Sequence, residues 1–143
     1  MSRAAARAAA RDNAVAFPDY AHDDWLAFAR RLYTEDAQGR LTAAYDPAIA
    51  DGLRPDEPAV APPDLWPVWD ALAALPILAI RGELSDLLSQ SALERMAARH
   101  AGLRTVVVPA RGHAPMLDEP EALAAIDGFL ASLASGPRAD AAV

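Results

Sequence analysis

Two short apolar runs constrain the fold more than any other feature of this 143-residue chain. Pro76-Ile77-Leu78-Ala79-Ile80 is led by proline and closed by Arg81-Gly82, and Thr105-Val106-Val107-Val108 is crowded with β-branched side chains. Both read as buried strands, because neither shows the in-out alternation of a half-exposed antiparallel strand. Ser91-Ala92-Leu93-Glu94 between them has capping-box spacing, and the helix it opens is expected to run to His100 before Gly102 ends it. A strand, helix, strand unit with so long a connection predicts a parallel pair, and hence an α/β fold.

The flanking segments read as helical. Residues 3–11 consist of Ala and Arg, good helix formers with almost no large apolar side chains, and the element ends by Asn13 or the Phe17-Pro18-Asp19 stretch. The arginine spacing near Met1 superficially has the look of a transit peptide, but a helical end in an alanine-rich chain is the reading preferred. Asp24 is the expected cap of a second helix, whose Trp25, Phe28, Ala29 and Leu32 share one face. Residues 34–40 read as a turn, and Pro47 opens a short helix through Leu53. Five prolines between Pro55 and Pro67 forbid a long helix there and place a linker at about residues 54–63. Asp64 is expected to cap the next helix, with Leu65, Val68, Trp69 and Leu72 on one side. A last helix from Pro120 has Leu123, Ile126, Leu130 and Leu133 as its expected buried stripe, and a disordered tail follows Gly136-Pro137.

Composition narrows the function classes. A hydrophobic content of 53 % and a charged content of 23 % suit a packed core. The net charge of -7 disfavours nucleic acid, whose binding needs a basic surface. Without cysteine there is no disulfide framework or thiolate chemistry. No apolar run is long enough to span a membrane and no secretory signal is visible, so a cytoplasmic protein is expected. His22-Asp23-Asp24 invites a metal reading, but adjacent residues diverge on a helix and one histidine is a poor ligand set. Neither metal nor cofactor is expected. His100, at a helix end, needs no catalytic role.

In open parallel sheets the chemistry gathers at the carboxyl ends of the strands. Arg81-Gly82-Glu83-Leu84-Ser85-Asp86 follows the first strand and Pro109-Ala110-Arg111-Gly112-His113-Ala114-Pro115 the second, so an acid and a histidine leave from the same edge. Taken singly, Asp86 also fits a turn or cap and His113 a hydrogen-bonded loop residue.

The run RGELSDLLS, a helix, a strand, then GHAPMLDEPEAL and a terminal helix resemble the carboxyl-terminal end of an α/β-hydrolase over roughly residues 65–134. The family's triad runs nucleophile, acid, histidine along the chain. The resemblance therefore implies Asp86 as the acid and His113 as the base, with Glu83 as the reserve acid. Gly112 would allow a sharp turn before the histidine and Pro115 would stiffen the loop after it. The implied fold is an incomplete α/β-hydrolase: a helical cap segment with Pro-rich linker (residues 1–63), the last two parallel strands with flanking helices (64–136), and a tail (137–143). Trp25, Phe28, Trp66 and Trp69 read as core, with pocket walls as the alternative the cap implies.

The sequence departs from the family in having no Gly-x-Ser-x-Gly elbow. Ser85, Ser89 and Ser91 lie beside or after the acid, where no family nucleophile falls. The expected function is hydrolysis of an ester or similar bond on a small-molecule substrate, with this chain holding only acid and histidine and therefore inactive alone. The alternatives are a noncatalytic half-domain that associates through its exposed sheet edge, with itself or a partner, and a non-hydrolytic member of the same fold.

Overall fold

The computed structural model describes residues 1–46, 48–49 and 63–135. The expected helix after Pro47, most of the expected linker and the tail after residue 136 lie outside them. The chain divides into two compact units, Met1–Asp64 and Leu65–Val143.

In the first unit, Ser2 opens α1 (Arg3–Asn13) with its hydroxyl on the Ala5 amide. The alanines that make α1 a good helix also give it a flat face: Ala5, Ala6 and Ala9 are buried where it packs on α2 (His22–Leu32). Trp25, Phe28 and Ala29 of α2 are buried as their spacing predicts. Phe17 and Tyr20 complete an aromatic cluster with them, at ring separations of 4.7 Å for Phe17–Tyr20 and 5.1 Å for Phe17–Phe28. Asp24 is not the cap residue itself. It sits in the first turn, and its carboxylate accepts from the Ala21 amide. The polar stretch after α2 is a small antiparallel hairpin, β1 (Tyr33–Glu35) with β2 (Leu41–Ala43), where only a turn was expected. Asp36 closes it by accepting from the Gln38 and Arg40 amides, and Gly39 supplies the left-handed residue at φ 77°.

The second unit begins with α3 (Trp66–Ala71), which has Leu65 at its N-cap rather than Asp64 and carries Pro67 in its first turn. Then β3 (Ile77–Gly82), α4 (Gln90–Arg99) and β4 (Leu103–Val108) form the expected unit, with β3 and β4 parallel and Ile77 opposite Leu103, Gly82 opposite Val108. α4 starts earlier than the capping-box spacing suggests: Ser89 is the cap, its Oγ accepting from the Ala92 amide, while Ser91 bonds Ser89. α5 (Pro120–Ala134) follows and packs on both strands.

Leu93, His100, Val108 and Ala122 are buried here. Neither apolar run expected to be a buried strand is buried throughout, Ile77–Ile80 being half-buried and β4 buried at Val108 alone. The stripe expected on α5 is not buried either: Leu123, Leu130 and Leu133 are 47, 56 and 45 % exposed and Ile126 is half-buried. Helical period identifies an apolar face but not its partner, and among the described residues nothing covers this one. His100 is the C-cap of α4, at the helix end where its position in the sequence puts it. It is 2 % exposed, lies tilted against the Trp69 ring at 5.5 Å and places Nε2 3.1 Å from the Leu72 carbonyl, tying α3 to α4. Trp66 lies under the Arg95 guanidinium at 4.2 Å.

Candidate active site

Because Gly82 and Val108 are register partners, the chain leaves both strands at one edge and the two following loops run side by side. Backbone bonds stitch them together: the Glu83 amide donates to the Val108 carbonyl at 2.9 Å and the Leu84 amide to the Arg111 carbonyl at 2.8 Å. This close approach explains Gly82. A Cβ there would meet the Gly112 carbonyl oxygen at 2.1 Å and the Arg111 carbonyl oxygen at 2.3 Å. Gly112, expected to turn sharply, is not among the left-handed residues; those of this loop are Ala110 at φ 51° and Leu117 at φ 63°.

His113 is exposed on the second loop. Its Nδ1 lies 3.3 Å from the Ser85 hydroxyl on the first loop, 28 residues away in sequence. Asp86, the adjacent residue, is exposed, and the described residues include no hydrogen bond from it to His113. The structure thus brings the histidine and the acid-bearing turn together, with Ser85 in contact and Asp86 beside it. Ser85 does not suit a nucleophile. It is 9 % exposed, which denies a substrate access, and its Oγ already accepts from the Leu88 amide at 3.1 Å.

Three residues that hold the two loops, Glu119, Glu83 and Arg81, were not anticipated in that role from sequence. Glu119 caps α5 at the end of the loop, and its Oε1 accepts from Arg111 Nε at 3.1 Å and from the Met116 amide at 3.0 Å. Glu119 is buried, at 5 % side-chain exposure, and Arg111 half-buried, at 13 %. Glu83, the reserve acid, is a staple: its carboxylate accepts from the Ala110 amide at 3.0 Å, satisfying a residue in strained backbone. Arg81 reaches under the first loop, donating Nε to the Leu88 carbonyl at 2.6 Å and Nη2 to the Ser85 carbonyl at 3.4 Å. The available signal was the oppositely charged pair Arg111 and Glu119 flanking the histidine, but such pairs are too common on surfaces to single out. Among the described residues no group of three His, Asp or Glu side chains is placed to hold a metal ion. A hollow of about 340 Å³ is lined by Leu65, Trp66, Trp69, Ala92 and Met96, without Asp86 or His113.

A chain that puts an acid turn and a histidine on neighbouring parallel strand ends, in that order, has the carboxyl-terminal architecture of one large enzyme family. Its sequence matches the alpha/beta hydrolase family over residues 1–126, and the chain belongs to that family. It is 41 % identical to an alpha/beta hydrolase from Novosphingobium aromaticivorans of known structure, with a TM-score of 0.78 over 90 % of this chain and 45 % of that one. The structure of E-2-(acetamidomethylene)succinate hydrolase is 29 % identical, with a TM-score of 0.60 over 88 % of this chain and 45 % of that one. A 3-hydroxybutyrate-oligomer hydrolase from Cupriavidus necator is 35 % identical over 88 residues, 59 % of this chain and 30 % of the relative. The chain therefore spans less than half the length of these relatives, and its two parallel strands are part of an α/β-hydrolase fold. No helix among the described residues is long and apolar enough to cross a membrane.

Proposed function

We propose that this chain is the acid- and histidine-bearing part of an α/β-hydrolase that cleaves an ester or similar bond in a small molecule. The carrying observation is the stitched pair of loops at the ends of β3 and β4, with the His113 ring against the turn that bears Asp86. In this reading His113 is the general base and acid, Asp86 its carboxylate partner, and residues 1–63 a cap segment. The nucleophile, a serine, belongs to a part of the fold outside this sequence.

The chemistry follows from the residue types. The serine oxygen attacks the substrate carbonyl carbon while its proton passes to His113 Nε2, giving a tetrahedral oxyanion. Collapse breaks the carbon–oxygen bond to the leaving group, which takes the proton from Nε2, and water repeats the sequence on the acyl-enzyme. Asp86, turned onto Nδ1, stabilises the imidazolium formed in between. Support for an ester-like bond comes from the relative named for hydrolysing 3-hydroxybutyrate oligomers.

The test joins this chain to a nucleophile-bearing half from a close relative and measures turnover of an activated aryl ester. His113→Ala and Asp86→Asn are expected to remove most of the rate, on the order of 10⁴-fold for the acid, and Glu83→Gln to cost far less. A Glu83→Gln effect larger than that of Asp86→Asn exchanges the two acids. The chain by itself is expected to show no turnover above background, and turnover abolished by His113→Ala would defeat the division of the triad. A second reading, a noncatalytic half-domain that pairs through its bare surface, is favoured by the exposed leucines of α5.

A further inference from the structure

We infer that Ser85 is a positioning residue for His113, holding the imidazole through Nδ1 and tying the ring's tautomer to the direction of its hydroxyl hydrogen. The inference rests on the hydrolase reading for its catalytic meaning, but its physical content does not.

Ser85 is anchored and His113 is not. The Ser85 amide donates to the Gly82 carbonyl at 3.0 Å, its carbonyl accepts from Arg81, and its hydroxyl accepts from the Leu88 amide. Arg81 is itself only 8 % exposed and also holds the Leu88 carbonyl, so both ends of the Ser85–Leu88 turn rest on one buried guanidinium. Against this fixed turn lies an exposed ring on a loop, and among the described residues the 3.3 Å approach of Ser85 Oγ is the hydrogen bond that reaches it.

A hydroxyl offers one hydrogen and two lone pairs. The Leu88 amide takes one lone pair, leaving one donor and one acceptor for Nδ1. Either choice selects a tautomer, because a ring that donates from Nδ1 leaves Nε2 bare and a ring that accepts there carries its proton on Nε2. Only a bare Nε2 can take the nucleophile's proton. Ser85 therefore shares with Asp86 the nitrogen that decides whether His113 is competent as a base, while its burial keeps it from touching substrate.

The experiment reads the tautomer ratio from imidazole ¹⁵N–¹H correlation spectra of this chain at a pH where its histidines are neutral. Exposed His22 serves as the internal free-ring reference. In the unmodified chain the His113 ratio is expected to differ from that of His22, Ser85→Ala to bring the two together, and Ser85→Thr to keep them apart. A His113 ratio equal to that of His22 from the start, or unmoved by Ser85→Ala, overturns the inference. In the joined enzyme Ser85→Ala is expected to lower kcat about tenfold with KM unchanged, as for a small misplacement of a catalytic group, and to add nothing to His113→Ala. If His113→Ala leaves the enzyme active, the hydrolase reading falls; if it abolishes activity and Ser85→Ala does not slow turnover, only the role of Ser85 falls.

Discussion

Replacing Gly82 by alanine tests whether the close approach of the two loops holds the site. The added methyl would lie 2.1 Å from the Gly112 oxygen, 2.3 Å from the Arg111 oxygen and 2.8 Å from the Arg111 carbonyl carbon, all backbone atoms that cannot rotate away. Contacts of this kind stay above 3.0 Å, so the histidine loop has to withdraw by about 0.9 Å, the difference from the shortest contact. A shift of that size along the Leu84–Arg111 bond, now 2.8 Å, stretches it to about 3.7 Å, past hydrogen-bonding range. Overpacking of this sort costs about 1–3 kcal/mol and the lost bond about 1 more. Urea unfolding followed by tryptophan fluorescence should then show the midpoint falling by about 1–2 M for a slope near 2 kcal/mol/M. In the joined enzyme the displaced His113 should cost about a hundredfold in kcat, the usual consequence of a shift near 1 Å. A Gly82→Ala protein with an unchanged midpoint and full activity would refute the claim that this contact sets the spacing of the loops.

Glu119→Ala removes a carboxylate from half-buried Arg111 and the acceptor from the Met116 amide, and should destabilise the unit by about 1–3 kcal/mol, with faster hydrogen exchange at Met116 as the local readout. Glu119→Gln, which keeps an acceptor oxygen, should cost less. The Arg99 guanidinium hydrogen-bonded to Asp70 holds that carboxyl below its ordinary range. Its contribution is therefore complete above the ordinary carboxylate pKa and is lost as pH falls through the lowered folded value. Unfolding curves for the parent and Asp70→Asn should accordingly differ by a constant amount at neutral pH and converge in acid. Leu130→Gln with Leu133→Gln, both at exposed positions, should reduce self-association in light scattering while leaving the unfolding midpoint nearly unchanged.

The elements that sequence reading located well are those whose signal is local. Val106 to Val108 form a strand because β-branched side chains resist the helix, and Trp25, Phe28 and Ala29 are buried because three- and four-residue spacing allows one outcome on a helix. The hairpin at Tyr33–Ala43 was missed because three-residue strands leave no periodicity to read. The α4 cap is Ser89 rather than Ser91 because two serines, separated by Gln90, satisfy the capping rule almost equally. Leu123, Leu130 and Leu133 show the deeper limit: their spacing states that a face is apolar, and only the rest of the fold decides what lies on it. At the site, residue types and order located the two loops. The contact between Ser85 and His113 depends on strand register and loop path, which no spacing rule encodes.

The stitched loops have a consequence for how this architecture can be altered. Among the described residues, the hydrogen bonds and close contacts that set His113 against its turn, from Arg81 and Gly82 through Ser85 and Leu88 to Arg111 and Glu119, fall between Ile77 and Glu119. The two loops leave adjacent parallel strands, about 4.8 Å apart, and the bare Gly82 backbone lets them close on one another. On the proposed division of the triad, a designer who fits a different nucleophile-bearing half would carry the histidine across with these contacts, provided that α5, which packs on both strands, travels with them. On that same reading the setting of the histidine would be adjusted by point changes among these residues, and the substrate by recombining what surrounds them.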